Sequence, residues 1–498
     1  MAHHKIKTLG ELTQELELRN SHKRVVLCHG VFDLVHPGHR AHLKAAKGQG
    51  DILVVTVTPD RYVNKGPGRP AFGVELRAEG IADLEYVDLV AINEWPTAVE
   101  TIKLLRPDVY CKGNDYADPA VDVTGEITNE EEAIKSVGGR LHLTNEITFS
   151  STELINRYFS PYSEEVREFL EAFRQKFSAA DIIKLLKQLE TLKVMIVGDT
   201  IIDEYCYCLP EGTSPKRGIA TQRYLRSERF AGGAVITANH VAQFCKEVTL
   251  VTSFNRNSLH FIKSNLSPNV QLEVFITSAP TVVKRRFIDD SSRNTLFYLC
   301  YIDEGLMHHH RKLAKYLDYW NGQYDLVIVN DFGHGFLEGN ETETFKKARF
   351  LSLNVQTNSL NWGFNLFNQK YFTPDFLCQN ELEIRLAFQE KIKQLPAILE
   401  DMKDLGYKRI AITRGRHGSV TYDGVLHEIP TLSREAVDAT GAGDAYLAIS
   451  SLCAAAGLPM DLVGFIGNAA GALHAGTVGN RAPVDRVALF KFTQTLLK

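Results

Sequence analysis

Several common features are absent from this 498-residue chain. No run approaches the roughly 18 consecutive apolar residues of a membrane-spanning helix, and the N-terminus has no apolar signal core. Eight cysteines are scattered without a C-x-x-C pair, which argues against a disulfide framework and a zinc site. Internal repeats and low-complexity tracts are also missing. The sequence therefore predicts a cytoplasmic globular protein with reduced thiols.

The charge balance is close to neutral. Lys and Arg total 56 against 60 Asp and Glu, for a net charge of −4. This balance gives no reason to expect nucleic acid or an anionic membrane as a partner. A hydrophobic fraction of 44% is typical of globular proteins. The length predicts two or three domains, each able to bury a core.

Apolar patterning divides the chain into two α/β halves. In the first half, strand-like runs at 24–28 and 51–58 flank a helical pattern over 39–47, the spacing of a βαβ unit. A further strand is predicted at 108–111, and the charged amphipathic stretch 163–187 predicts a helical linker. Five strand patterns follow in the second half, at 193–197, 248–252, 325–329, 351–355 and 409–413. Helical segments between them predict a mainly parallel sheet.

The first predicted strand leads directly into the segment 29–39, HGVFDLVHPGH. Pro37 suits a first helical turn, and His36 and His39 lie three residues apart on one helix face. Two imidazoles at a helix N-terminus can stabilise charge that develops on a nucleotide's α-phosphate. Capping or core histidines are the alternative. The full H-x-G-H pattern after G-x-F-D favours function.

A second phosphate signature lies near the C-terminus, in the run Val437 to Tyr446. Here Gly441, Ala442 and Gly443 begin an apolar helical segment, so that backbone N–H groups can face an anion. Asp444 follows at once and could accept a proton from an attacking hydroxyl. This is the minimum equipment for phosphoryl transfer to an alcohol.

Residues 24 to 159 resemble the cytidylyltransferase-like nucleotidyltransferases. The resemblance rests on the H-x-G-H segment, a basic loop, an E-x-R segment, a K-G-x-D-Y turn and the run F-S-S-T-E-L. It implies His36, His39 and Lys65 as catalytic residues. The implied nucleotide contacts are Gly30, Phe32, Arg69, Arg77, Lys112, Asp115, Ser150, Ser151 and Thr152.

From about residue 190 the chain resembles the ribokinase-like (PfkB) sugar kinases, above all in the string D-A-T-G-A-G-D. The resemblance implies Asp444 as catalytic base and a small β lid near 205–229. The implied sugar contacts are Asp203, Gly232, Gly233 and Asn239. The implied nucleotide contacts are Thr413, Gly415, Gly418, Gly441, Ala442 and Gly443. Asn380 and Glu383 are implied to order Mg²⁺.

Together the two regions resemble the bifunctional heptose 7-phosphate kinase/heptose 1-phosphate adenylyltransferases. This implies a nucleotidyltransferase domain (1–160), a helical linker (161–190) and a kinase domain (191–498). The sequence departs from that family in domain order, in His334 where a lysine is usual, and in N-V-Q-T at 354–357 where D-P-K-G is usual. A monofunctional nucleotidyltransferase with a degenerate kinase-like half is therefore the alternative, and a nucleotide-sensing scaffold a more distant one.

The fold class that these resemblances imply is α/β, with a Rossmann-like nucleotidyltransferase domain followed by a ribokinase-like domain. The implied substrates are a sugar or sugar phosphate, heptose-like, and a nucleoside triphosphate. ATP and CTP both stay open for the nucleotidyltransferase half. Mg²⁺ is the implied cofactor, and a homodimer formed through the lid is the implied assembly.

Overall fold

The computed structural model describes residues 4–18, 23–113, 126–144, 156, 162–303, 310–433 and 436–498. The chain divides into two compact units. The first contains Met1–Ile183 and Val487–Lys498, and the second contains Lys184–Arg486. The last residues of the chain therefore belong to the first unit. The domain boundaries predicted at 160 and 190 stay predictions.

The first unit is built on a six-stranded, all-parallel sheet with the order β1-β4-β3-β2-β5-β6. Its strands are β1 (Ile6–Lys7), β2 (Val25–Gly30), β3 (Ile52–Val57), β4 (Leu89–Ile92), β5 (Val109–Gly113) and β6 (Arg140–Thr144). Every residue of β3 is buried, as expected for a strand covered on both faces. From β2 the chain first winds outward through β3 and β4, then returns to β5 on the other side. The winding direction therefore reverses between the neighbouring strands β2 and β5. Ligands of such sheets bind at this topological switch point, at the carboxyl ends of the strands.

Helices cover both faces of this sheet. They are α1 (Leu9–Leu18), α2 (Pro37–Lys47), α3 (Val74–Ala82), α4 (Val99–Leu105) and α5 (Glu126–Ser136). Two helices follow the sheet in the chain: α6 (Glu164–Arg174) belongs to the first unit, and α7 (Ala179–Gln188) contains the boundary between the units after Ile183. Two separate apolar clusters lie on the two sides of the sheet. The amphipathic stretch predicted as one or two helices contains two, α6 and α7.

The second unit contains two sheets. Its strands are β7 (Lys193–Gly198), β8 (Thr200–Thr213), β9 (Ala220–Gly233), β10 (Glu247–Asn255), β11 (Val270–Thr277), β12 (Val282–Asp289), β13 (Thr295–Tyr301), β14 (Leu326–Asp331), β15 (Leu351–Val355), β16 (Phe376–Asn380), β17 (Ile410–Thr413), β18 (Ser419–Tyr422) and β19 (Leu426–Ile429). The larger sheet has the order β11-β10-β7-β14-β15-β16-β17-β18-β19. It is parallel as far as β17 and antiparallel beyond it. All five strands predicted for this half lie in it, whereas β11, β16, β18 and β19 were not predicted.

The smaller sheet, β13-β12-β8-β9, is the lid. The predicted lid segment falls on β8 and β9, and the structure adds β12 and β13. Asp203 of β8 pairs in register with Lys284 of the parallel strand β12 and with Phe230 of the antiparallel strand β9. Because side chains alternate along a strand, Lys284 and Arg286 share the face that carries Asp203.

The helices of the second unit are α8 (Ala234–Ala242), α9 (Leu259–Ser264), α10 (His310–Trp320), α11 (Phe367–Lys370), α12 (Glu381–Phe388), α13 (Leu395–Asp404), α14 (Ala442–Ala455) and α15 (Met460–Ala475). The chain ends with α16 (Arg486–Leu496), which lies in the first unit from Val487 onward. Helix α14 is buried along most of its length and packs against α15 and α8. In the part of the chain that the structure describes, no helix has the length and apolar character needed to cross a bilayer.

Candidate active sites

The first site lies at the carboxyl end of β2. His36 caps α2, and its Nδ1 accepts a hydrogen bond of 3.3 Å from the backbone N–H of His39. The two imidazole rings stack with their centroids 3.9 Å apart. His39 Nδ1 lies 3.1 Å from the carbonyl oxygen of Leu34, which can only accept, so Nδ1 carries the proton of the neutral ring. The predicted histidine pair is therefore brought together at the switch point.

Both histidines are held in the neutral form. Burial lowers the pKa of His39 to about 3, and the charges of His36 and Lys65 add to the shift. Burial and then Lys65 lower the pKa of His36 in the same direction. A bound phosphate would oppose these effects, because a nearby negative charge favours the imidazolium form. The site can thus gain positive charge when an anion arrives.

Gly30 and Phe32 shape the wall of this pocket. Phe32 is buried with a φ of 50°, and its ring meets His39 edge-on at 5.2 Å. A Cβ at Gly30 would lie 3.1 Å from the Phe32 ring, so that a larger residue would press against the aromatic side chain. The structure therefore gives both residues a role in positioning His39. Their predicted contact with nucleotide stays a prediction.

The basic loop carries a buried ion pair that points to an anion. Arg69 Nε donates to Asp33 Oδ2 at 2.7 Å, and the two side chains are only 3% and 0% exposed. Asp33 Oδ1 accepts from the backbone N–H of Ala71 at 2.6 Å. Both terminal nitrogens of Arg69 are buried and find no hydrogen-bond partner among the described residues. Unpaired guanidinium donors are well suited to phosphate oxygens, so this arrangement favours Arg69 as an anion contact.

Lys65 lies on the same loop. Burial lowers its pKa to about 8, Arg69 adds to the shift, Asp33 opposes it, and Lys498 and Lys491 lower it further. A lysine among several cations is stabilised in its charged form when an anion binds. Asp33 was not among the predicted site residues, although the G-x-F-D pattern contained it.

Arg77 is held by hydrogen bonds within the first unit. Its Nε donates to Phe72 O at 2.9 Å, and its terminal nitrogens donate to Thr58 O at 2.8 Å, to Asp60 Oδ1 at 2.5 Å and to Val31 O. Its side chain is fully buried. These contacts tie three loops of the first unit together. They give Arg77 a structural role and do not support the prediction that it binds nucleotide.

Lys112 lies at the end of β5, on the other side of the switch point. It forms an ion pair of 2.9 Å with Glu130, and its Nζ lies 5.5 Å from the centroid of the Tyr110 ring. Its charge is thus partly balanced within the protein. The remaining residues predicted for this site lie outside the described part of the chain: Asp115, Ser150, Ser151 and Thr152.

The second site lies at the start of α14. Gly441 caps the helix with a φ of 82°, and a Cβ there would lie 2.1 Å from Asn480 Oδ1 and 2.6 Å from His474 Nε2. Only glycine fits this position. The next N–H, of Ala442, bonds to Ala439 O at 3.2 Å and is already occupied. Gly443 is exposed at the first turn, where the remaining free N–H groups of a helix can receive an anion.

Asp444 is buried beside this turn with the surroundings of a general base. Its Oδ1 accepts from Asn330 Nδ2 at 3.0 Å and from Gln356 Nε2 at 3.2 Å. Its Oδ2 has no donor among the described residues. Burial raises the pKa of Asp444 to about 6, Asp203 adds to the shift, and Lys284 opposes it. The carboxylate is therefore mostly ionised at neutral pH and able to accept a proton.

Asp203 and two glycines form the predicted sugar side of this site. Asp203 is paired with Arg286, and its Oδ2 accepts from Asn480 Nδ2 at 3.0 Å. A Cβ at Gly232 would lie 2.2 Å from Asp203 Oδ2, while Gly233 has a φ of 63°. The glycines thus make room for the carboxylate. A sugar hydroxyl at Asp203 would have to share it with Arg286.

Asn239 is bound elsewhere. Its Nδ2 donates to Asn265 O at 2.7 Å, and its Oδ1 accepts from the backbone N–H of Ser267 at 2.8 Å. These bonds fasten α8 to the turn after α9. These two hydrogen bonds give Asn239 a structural role. They do not support the predicted contact between Asn239 and a sugar.

Asn380 and Glu383 form a capping box at the start of α12. Asn380 Oδ1 accepts from the Glu383 N–H and Glu383 Oε2 accepts from the Asn380 N–H, both at 2.9 Å. Glu383 Oε1 accepts from Thr357 N at 3.0 Å, and burial raises the pKa of Glu383 to about 7. In the described ranges no three His, Cys, Asp or Glu side chains are grouped to hold a metal. The predicted role of Asn380 and Glu383 in ordering Mg²⁺ stays a prediction.

The predicted nucleotide loop is a tight connection between the antiparallel strands β17 and β18. The Arg414 N–H donates to Gly418 O at 2.8 Å, and Gly415 and Gly418 have φ values of 55° and 78°. A Cβ at Gly418 would lie 2.1 Å from Ile429 O. Thr413, the last residue of β17, places this loop at the carboxyl edge of the sheet, where ligands of such sheets bind.

The positive charge of the second site comes from the lid. His334 is 1% exposed, and burial followed by the charge of Lys284 lowers its pKa to about 3, so it is neutral and cannot replace the usual lysine. Lys284 instead acts electrostatically on both Asp203 and Asp444. Sequence analysis missed Lys284, Arg286, Asn330, Gln356 and Asn480. The basic residues at alternate positions of β12 were the available signal.

Comparison with known protein families agrees with this architecture. The pattern of the pfkB family carbohydrate kinases matches residues 191–486, more than half of the chain. The chain belongs to the pfkB family. A second pattern, described as cytidylyltransferase-like, matches residues 27–157. This pfkB-family chain thus also contains the nucleotidyltransferase-like region predicted from its sequence, and the predicted α/β fold class is confirmed.

The curated relatives match the N-terminal region. The bifunctional protein HldE of Gluconobacter oxydans is 41% identical over 136 residues, which is 27% of this chain and 27% of the relative. The bifunctional protein HldE of Koribacter versatilis is 38% identical over 161 residues, or 32% of each. The chain therefore spans about a third or less of the length of the curated relatives that it matches.

Among solved structures, phosphofructokinase-2 from Escherichia coli in complex with potassium matches 62% of this pfkB-family chain and all of its own chain. The TM-score is 0.51 and the sequence identity 13%. A mutant of the same enzyme matches with a TM-score of 0.51, an identity of 12% and the same coverage. At such low identity the likeness supports the fold alone.

A first prediction concerns Lys65. Because its pKa is about 8, the affinity of the first site for inorganic tripolyphosphate should fall as pH rises through 8 and Lys65 loses its charge. In Lys65→Arg the side chain stays charged, so the fall should be much smaller. Isothermal titration calorimetry between pH 6.5 and 9.5 measures this, with the arginine variant correcting for titration of the polyphosphate. Parallel pH profiles for the two proteins would contradict the assignment.

Proposed function

We propose that this chain is a bifunctional enzyme of sugar-nucleotide synthesis. The second unit would phosphorylate a sugar or sugar phosphate with ATP. The first would transfer a nucleoside monophosphate from ATP or CTP to a sugar phosphate and release pyrophosphate. The observation that carries the proposal is that one chain holds two separate candidate phosphate sites, one with Lys65, Arg69 and a histidine pair and the other with a helix N-terminus beside the buried Asp444. The resemblance to the heptose enzymes favours a heptose-like sugar.

In the kinase reaction, Asp444 Oδ2 would accept the proton of the sugar hydroxyl while the hydroxyl oxygen attacks the γ-phosphorus. The new P–O bond forms as the bond to the β–γ bridging oxygen breaks, and ADP leaves. Free N–H groups at the start of α14 would stabilise the charge on the transferred group. Asn330 and Gln356 fix the carboxylate through Oδ1, which leaves Oδ2 for the substrate.

In the nucleotidyl transfer, an oxygen of the sugar phosphate would attack the α-phosphorus in line, and pyrophosphate would leave. His36 and His39 would stabilise charge near the α-phosphate. Lys65 and Arg69 would bind the leaving pyrophosphate. The protein's contribution is mainly positioning and electrostatics, since no covalent step on the enzyme is needed. Mg²⁺ would enter with the nucleotide, and no described residue is assigned to it.

The alternative, a degenerate kinase-like half, is less well supported. In a chain that had lost kinase activity, nothing would require a buried Asp444 whose carboxylate is fixed by two amide groups and whose pKa is about 6. The missing lysine at position 334 is compensated by Lys284, whose charge acts on the same carboxylates. These contacts favour an active kinase. A cytoplasmic location remains a prediction.

The second prediction is that Asp444→Asn abolishes sugar-dependent ADP formation. Removal of a general base typically lowers the rate by about 10²–10⁴-fold. In the wild type, kcat/KM for ADP formation should rise with pH through about 6, where Asp444 ionises. Pyrophosphate release from a supplied sugar 1-phosphate should persist in the variant. An Asn variant that retains ADP formation would refute the role of Asp444.

The same variant should not lose stability. The folded-state pKa of Asp444 is about 6, above the unfolded value, so the stability that its protonated form contributes is lost as pH rises through 6. Asparagine carries no charge to bury. The melting temperature of Asp444→Asn relative to wild type should therefore be more favourable at pH 7.5 than at pH 4.5. This comparison by calorimetry separates loss of chemistry from loss of fold.

The third prediction concerns the first unit and reverses the outcome expected for Asp444→Asn. His39→Ala should lower pyrophosphate release by about 10²–10³-fold, the usual cost of one lost electrostatic contact to a transition state. Sugar-dependent ADP formation should be unchanged, because His39 belongs to the first unit. The two products are followed separately by coupled assays. Equal pyrophosphate release in variant and wild type would remove His39 from the mechanism.

We also propose a homodimer formed through the lid. Strand β13 has five apolar or aromatic side chains that are 39–49% exposed: Leu296, Phe297, Tyr298, Leu299 and Tyr301. Phe297, Leu299 and Tyr301 lie at alternate positions and therefore share one face of this edge strand. Exposed apolar side chains grouped on one face are typical of an interaction site.

The fourth prediction tests this dimer. The wild type should show about twice the monomer mass of 55.8 kDa by light scattering, and Leu299→Lys should halve it. Leu405→Lys, which changes a 62% exposed leucine on another element, is the matched control and should leave the dimer intact. A monomeric wild type would refute the proposal.

A further inference from the structure

The last helix of the chain is firmly packed in the first unit. Four of its side chains are fully buried: Leu489, Phe492, Thr493 and Leu496. The carbonyl oxygen of Thr495 accepts a hydrogen bond of 2.7 Å from Asn156 Nδ2, and that of Leu496 accepts one of 2.9 Å from Arg174. These bonds satisfy carbonyls that a helix C-terminus leaves without a partner inside the helix. Helix α16 is thus a component of the unit and not a loose extension.

This helix touches the basic loop directly. A Cβ built at Gly66 would lie 2.1 Å from Cδ2 and 2.4 Å from Cε2 of the Phe492 ring. The backbone at Gly66, with a φ of 93°, therefore lies against the ring with no space for a side chain. Gly66 stands between Lys65 and Arg69 in the sequence. The aromatic ring is consequently placed to fix the loop that presents both cations.

The same helix brings further positive charge. Lys491 and Lys498 both repel the ammonium group of Lys65, in addition to the repulsion from Arg69. Among the residues described, Asp33 is the carboxylate that acts on Lys65 in the opposite sense. Grouped cations create a positive potential that attracts a polyanion. Independently, the buried terminal nitrogens of Arg69 find no partner in the described structure and also point to an anionic ligand.

We propose that α16 is part of the nucleotidyltransferase site. Phe492 would hold Gly66, and with it the loop, in the conformation that presents Lys65 and Arg69. Lys491 would add its charge to the binding of the polyphosphate chain of a nucleoside triphosphate. The inference rests on the proposed nucleotidyltransferase function, and it adds to that function two residues that lie more than 300 positions beyond the cytidylyltransferase-like region.

The charge is tested with Lys491→Met, which keeps the length of the side chain and removes the ammonium group. Its affinity for inorganic tripolyphosphate, and its kcat/KM for the nucleotide in pyrophosphate release, should fall about tenfold, a typical value for one charged hydrogen bond. The matched control is Lys135→Met, which removes a 66% exposed lysine from α5 of the same unit. The control should match the wild type in both measurements.

The packing is tested with Phe492→Leu, a smaller apolar residue that keeps the helix apolar. Tryptic cleavage at Lys65 should become faster, and kcat/KM for pyrophosphate release should fall several-fold. Phe490→Leu shortens another buried aromatic residue of the same helix and should change neither. Sugar-dependent ADP formation should be the same in all variants. If Phe490→Leu matched Phe492→Leu, general loosening of the helix would explain both, and the specific role of Phe492 would be refuted.

The outcomes separate this inference from the proposed function. A wild type that binds tripolyphosphate but releases no pyrophosphate with any nucleotide and sugar 1-phosphate would refute the proposed function. Weaker tripolyphosphate binding by Lys491→Met would then still place α16 at an anion site. A wild type that releases pyrophosphate, with Lys491→Met and Phe492→Leu equal to it in every assay, would refute the inference and leave the function standing.

Discussion

Burying a charged side chain costs several kcal/mol unless neighbouring groups replace the water that it loses. In this protein the Asp33–Arg69 pair meets that requirement only in part. Each carboxylate oxygen of Asp33 accepts one hydrogen bond, from Arg69 Nε or from the Ala71 N–H. The two terminal guanidinium nitrogens of Arg69 are buried and have no partner among the described residues. A half-satisfied charge of this kind is tolerable if a ligand completes it.

The second unit also stabilises a buried charged side chain, but with different groups. Asp444 keeps one oxygen bonded to two amides and the other free, at a pKa of about 6. Its counter-charge, Lys284, comes from the lid and not from the segment where related kinases carry a lysine. If Asp444 is the catalytic base that we propose, Lys284 supplies a positive charge near it from a different strand of the fold. Residue identity at one motif position is then a poor guide to loss of function.

Much of the fold and of the two candidate sites could be predicted from the sequence, because the signals that specify them are local. The βαβ spacing, the H-x-G-H cap and the glycines before Asp444 each act within a few residues, and the structure places them as expected. The roles of Arg77, Asn239 and Glu383 were harder to predict, because the same residue types also form buried hydrogen bonds between segments and helix caps. Their partners are backbone groups of other segments, which a motif does not specify. Asn480 and Phe492 reach their sites only through tertiary packing, and no local pattern marks them, whereas the alternating basic residues of β12 did mark Lys284.

The return of the chain to its first unit has a consequence for how the protein is made. Domains generally fold as units, N-terminal first, while the ribosome is still adding residues. Here the six-stranded sheet is finished early, but the helix that packs against Gly66 is synthesised only after the whole 303-residue second unit, Lys184–Arg486. Until then the newly made N-terminal region lacks the ring of Phe492 over its basic loop. The packing of the basic loop is therefore completed only after the pfkB-like second unit has been translated.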